Sequence, residues 1–85
     1  MRVPNQLLFP IVNYIKGYNG FESESPLQFG TQYVVNGVVI DIHFSTKNKP
    51  TFSLDVKNQP ADPIFVQLFE QYIGVISVPA DQGIF

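Results

Sequence analysis

The stretch YVVNGVVIDIHF, Tyr33 to Phe44, decides how this chain folds. Asn36-Gly37 stands between two apolar runs, and the central residues of a type I′ turn both need positive φ, which Asn and Gly tolerate best. The pair predicts a two-residue β-hairpin. Around it Val35 faces Val38, Tyr33 faces Ile40 and Thr31 faces Ile42. Side chains alternate along a strand, so Val38, Ile40, Ile42 and Phe44 share one side and Val39, Asp41, His43 and Ser45 the other. The first set is apolar and predicts a core face.

Working outward, TFSLDVK (51 to 57) alternates in the same way, with Phe52, Leu54 and Val56 against Thr51, Ser53, Asp55 and Lys57. A five-residue connection closing Ser45 against Thr51 pairs Phe44 with Phe52, Ile42 with Leu54 and Ile40 with Val56. KNKP (47 to 50) and KNQP (57 to 60) bracket this strand as turns, and two four-residue echoes make no repeat architecture. Asp62 is a natural N-cap and Pro63 a natural first helical residue. They predict a helix through Tyr72, with Gly74 as its stop. Phe65, Leu68, Phe69, Tyr72 and Ile73 form its apolar stripe, and Gln67, Glu70 and Gln71 face out. VISV (75 to 78) predicts a fourth short strand, ended by Pro79.

Upstream, Leu7, Leu8, Ile11, Ile15 and Tyr18 recur at helical intervals and predict a short helix from Pro10 to Lys16, with Gly17 as its stop. Leu7 to Phe9 also fit an extended lead-in. GFESESPLQFGTQ is punctuated by Gly, Ser and Pro and predicts a loop over 19 to 29, tacked down by Phe21, Leu27 and Phe29. The fold class is therefore α+β: a small antiparallel sheet of three to four strands packed by a C-terminal helix, plus a short N-terminal helix. Eighty-five residues make one domain, and a chain this short buries only about 60 to 65% of its unfolded surface.

Composition narrows the function classes. With no cysteine, disulfides, thiolate metal sites and Cys nucleophiles are excluded. No run of about 18 apolar residues can span a membrane, and the N-terminus lacks the unbroken apolar segment of a signal peptide, so a cytoplasmic origin is expected. Charged residues are 14%, against about 25% for ordinary soluble domains. A small monomer normally keeps its faces charged, so this shortage predicts a homo-oligomer or a part of a larger complex. Net charge is −2, and Arg2, Lys16, Lys47, Lys49 and Lys57 lie scattered along the chain, which disfavours a nucleic-acid partner.

Asp41 falls opposite Asp55 on the polar face, with His43 on the same strand opposite Ser53. Two carboxylates and an imidazole can hold a divalent cation or work as acid and base. Such groups usually act in concave pockets, however, and an open strand face favours solvation or partner contact instead. Ser23 and Ser25 stand beside Glu22 and Glu24 with no nearby histidine, so they read as loop serines rather than nucleophiles. Tyr33, Phe44 and Phe52 fall on the face the second helix covers, which favours core use over base stacking. Tyr14, Tyr18 and Phe21 are less constrained by pattern and are candidate interface anchors. Ile84 and Phe85 close the chain with apolar side chains that dock in cis or in a neighbour.

No phosphate-binding glycine loop, zinc signature or nucleophile elbow occurs, and neither a metal nor a cofactor is expected. Few charges, many amides and prolines, no cysteine and an apolar tip give a composition that resembles small structural proteins of viral particles. That resemblance is one of composition and transfers no site; it implies a non-enzymatic assembly component of a capsid or tail. The pattern of exposed segments, read separately, makes the 19 to 29 loop, the 79 to 85 tail and the Asp41/His43/Asp55 face the expected contacts. A small inhibitor or immunity-type protein and a single-stranded nucleic-acid-binding accessory protein are the alternatives.

Overall fold

The computed structural model describes residues 1–45, 47 and 49–77. In chain order it places strand β1 (Arg2–Pro4), a 3-10 turn (Asn5–Leu7), helix α1 (Leu8–Gly17), strands β2 (Phe21–Leu27), β3 (Gly30–Val35), β4 (Val38–Phe44) and β5 (Thr51–Lys57), a second 3-10 turn (Gln59–Ala61) and helix α2 (Pro63–Ile76). The strands form one sheet in the order β1-β5-β4-β3-β2, every pair antiparallel. An α+β fold follows, with five strands rather than three to four. β2 to β5 are a meander, while α1 carries the chain from β1 at one edge to β2 at the other.

Both predicted registers are present. Val35 pairs with Val38, Tyr33 with Ile40 and Thr31 with Ile42 across a turn in which Asn36 (φ 47°) and Gly37 (φ 83°) are left-handed. Phe44 pairs with Phe52, Ile42 with Leu54 and Ile40 with Val56. One sheet face is therefore continuously apolar. Val3, Tyr33, Val35, Val38, Ile40, Ile42, Phe52 and Leu54 are buried there, under Ile11 and Ile15 of α1 and Phe65, Val66, Phe69 and Ile73 of α2. Phe65 and Phe69 stack on one another one turn apart, with ring centroids 5.5 Å apart. Asp62 caps α2, its carboxylate accepting from the Phe65 amide at 3.0 Å.

Four expectations are corrected. The 19 to 29 segment is no loop, because Phe21–Leu27 form the edge strand β2, paired to β3 with a bulge between Phe21 and Ser23. Val75 and Ile76 lie in the last turn of α2, which runs past Gly74, since Ile73 and Ile76 still pack on the core at helical spacing. Leu68 points outward and Val66 takes its place in the interior. α1 spans Leu8–Gly17 rather than 10 to 16, and Pro10 in its first turn removes an N–H that has no intrahelical partner anyway.

Candidate functional site

Both helices lie on one face of the sheet, so the other face is bare among the described residues. Strand alternation puts Gln32, Val34, Val39, Asp41, His43, Ser53, Asp55, Lys57 and Arg2 on it. Asp41 sits opposite Asp55 and His43 opposite Ser53, as the register requires. Yet Asp41 is only 4% exposed. Gln32 Nε2 donates to its Oδ1 at 2.9 Å from one side, and Lys57 Nζ to its Oδ2 at 2.8 Å from the other. The three side chains span β3, β4 and β5 as a clasp across the open face.

This arrangement decides what Asp41 can do. Burial favours its protonated form, but the hydrogen bonds from Lys57 and Gln32, with the charges of Lys57 and His43, outweigh burial and hold the carboxyl below its ordinary range. Lys57 is correspondingly held above its own range by Asp41. A carboxylate with both oxygens engaged is a poor metal ligand and a poor general base. Asp55 stays exposed and shares no hydrogen bond with Asp41 or His43, and among the described residues no three His, Asp or Glu side chains gather as a metal-sized cluster.

The aromatic candidates are packing residues. Tyr14 stacks on Tyr72 of α2 at 4.5 Å, and Tyr18 meets Phe65 edge-on at 4.7 Å. Burial, then the neighbouring Tyr18 and Tyr72, push the Tyr14 hydroxyl above its ordinary pKa. Phe21 is half-buried against the core. Ile84 and Phe85, and the whole 79 to 85 tail, lie outside the described residues.

Two surfaces that the sequence did not mark stand out. On α2, Ile64 (68% exposed) and Val75 (72% exposed) share a side with exposed Leu68. At 100° per residue the three fall within about 40° of one another, a stripe running the length of the helix. The second surface is a trough of about 560 Å³ at the end of the bare face, lined by Arg2, His43, Phe44, Ser45, Lys47, Lys49, Thr51 and Ser53. Phe44, expected in the core, is 40% exposed at the last position of β4; its ring rests against Phe52 at 6.1 Å, on the helix side of the sheet.

No protein-family model, curated protein or solved structure matches the chain.

Proposed function

We propose that this chain is a non-enzymatic assembly protein, which pairs with a second copy of itself through the outer stripe of α2 and so builds or decorates a larger particle. The single observation behind this reading is the row Ile64, Leu68 and Val75, apolar and exposed along one side of a helix whose other side is already committed to the core. Scattered exposed apolar residues are ordinary, but a row of them along one side is an unpartnered surface. Two-fold pairing is the commonest way for a chain to cover such a surface with itself. The 14% charge content supports the same conclusion, since little of the surface is built to stay in water. A capsid or tail component of a virus or phage is the setting the composition favours.

The sealed carboxylate of Asp41 supports a role without catalysis. Light scattering on the purified chain tests the proposal. The wild-type chain has a mass near twice its 9.6 kDa, and Ile64→Glu/Val75→Glu returns it to that of one chain with an unchanged circular dichroism spectrum. A single-chain mass for the wild type at high concentration would end this reading.

A further inference from the structure

We infer that Asn19 is a covalent modification site, open in the folded protein to loss of its side-chain ammonia, while Asn36, in the chain's other Asn-Gly pair, is locked against the same reaction by Glu22 and Asp62. The inference goes beyond the assembly role and rests on different residues. It starts from two identical dipeptides, Asn19-Gly20 and Asn36-Gly37, which the fold sets side by side: the Asn36 amide donates to the Gly20 carbonyl at 3.0 Å. In such a pair the glycine nitrogen attacks the asparagine Cγ, its proton passes to solvent base, and the Cγ–Nδ2 bond breaks as ammonia leaves. Water then opens the cyclic imide at either carbonyl, which gives an aspartyl or an isoaspartyl residue. One water is consumed and one ammonia released, with no oxidant or reductant. Glycine suits the attacking position because no Cβ crowds its nitrogen.

At Asn36-Gly37 the fold occupies the groups that this reaction needs. A two-residue hairpin turn leaves both central N–H groups outside the strand ladder, yet the Gly37 N–H donates to a Glu22 carboxylate oxygen at 2.8 Å. A carboxylate accepting that bond favours the protonated nitrogen and is itself too weak a base to remove the proton. Asn36 Nδ2, the leaving group, donates to Asp62 Oδ2 at 2.9 Å, and the carboxamide lies over Gly20, where any Cβ would collide with it. Asn58 Nδ2 donates to the Gly37 carbonyl at 2.8 Å and steadies the turn from a third side. Bringing Cγ onto the Gly37 nitrogen therefore means breaking contacts with β2 and with the cap of α2 together.

Asn19-Gly20 has no such lock. It forms the connection from α1 to β2, closed by a bond from the Phe21 amide to the Tyr18 carbonyl at 3.1 Å. Asn19 is exposed, and among the described residues neither its side chain nor the Gly20 N–H has a hydrogen-bond partner. Conversion there adds a negative charge and, in the isoaspartyl form, one more backbone carbon where the chain enters its edge strand.

Peptide mapping by mass spectrometry, on the full chain incubated at mildly alkaline pH, reads both sites in one sample. In the folded wild type Asn19 converts about tenfold faster than Asn36 or more, the factor expected when two screened hydrogen bonds to carboxylates must break first. In urea, with the fold gone, the two convert at similar rates. Glu22→Ala, at an exposed position of β2, raises the Asn36 rate roughly three- to fivefold and leaves Asn19 as it was. Asp62→Ser keeps a capping hydroxyl for the Phe65 amide but is too short to reach Asn36, and it acts in the same direction. Glu70→Ala, on α2 and away from the turn, moves neither site. Circular dichroism melts of each variant verify that the rates are those of folded chains. Equal rates at the two sites in the folded wild type, a faster Asn36, or an Asn36 rate that both Glu22→Ala and Asp62→Ser leave unmoved would each overturn the inference. So would a slower Asn36 in Glu22→Ala, since the carboxylate would then be acting as the base. None of these substitutions falls on the outer stripe of α2, so the light-scattering mass is unchanged and this proposal and the α2 proposal fail separately.

Discussion

Replacing Asp41 by Asn tests whether the bare sheet face is held by a charged clasp or is merely wet. The substitution keeps the shape and an acceptor for Gln32 but presents an amide, in place of an anion, to Lys57. A hydrogen bond to a charged group contributes about 1.5 to 3 kcal/mol when sheltered. Lys57 is mostly in solvent, so its share is screened and the larger part falls on the sheltered contact with Gln32. The expected loss is about 1.5 kcal/mol at pH 7, or roughly 6 to 12 °C in melting temperature for a domain of this size. The pH dependence carries the sharper signature. Asp41 has its folded pKa depressed below its ordinary 3.8, so its stabilising contribution is complete above that value and is lost as pH falls through the lower, folded value. Melting curves followed by circular dichroism from pH 7 down to pH 2 therefore show the gap between wild type and Asp41→Asn closing at the acid end. A gap that stays constant with pH, or an Asn variant that melts no lower than wild type, would refute the clasp.

Other substitutions test the frame. Gly30→Ala places a Cβ against the Ile42 carbonyl of the neighbouring strand, so thermal melting should show a loss of about 3 kcal/mol as the β3–β4 pairing shifts. Gly37→Ala forces a non-glycine residue to φ 83° in the hairpin turn and should cost about 1 to 2 kcal/mol in urea unfolding, with the denaturant slope unchanged. Ile40→Ala, at a fully buried position, should cost about 3 to 4 kcal/mol, while Val39→Ala on the bare face costs about 1 kcal/mol or less. Equal costs for that last pair would mean that the two faces of β4 are wrongly assigned.

The centre of the fold was legible because its signals are local. Asn36-Gly37 dictates the hairpin, alternation fixes which side of β4 is buried, and Asp62-Pro63 opens α2. The edges were not legible, for a physical reason. β2 is the outer strand, with 22 to 26 all exposed, so no apolar alternation survives, and its glutamates and Pro26 are what an edge strand carries against unwanted pairing. β1 has three residues and a single buried side chain, too little for any pattern. Val75 and Ile76 look like strand residues by propensity, but the core contacts of Ile73 and Ile76 carry the helix on. The polar face was predicted to include Asp41, His43 and Asp55, and it does. The sealing of Asp41 was hidden because it needs Gln32 and Lys57 from two other strands. The cationic trough was hidden likewise, since Arg2 is separated from Lys47 and Lys49 by most of the chain.

The proposal that α2 pairs with its own copy meets its most direct test in a disulfide trap. The chain contains no cysteine, so Gln71→Cys, between Leu68 and Val75 on the outer stripe, introduces a single thiol at the proposed contact. Under mild oxidation it should convert to a covalent dimer on a non-reducing gel, whereas Glu70→Cys, on another side of the helix, stays monomeric. Equal and slow crosslinking of both variants, or none in either, would contradict the proposal.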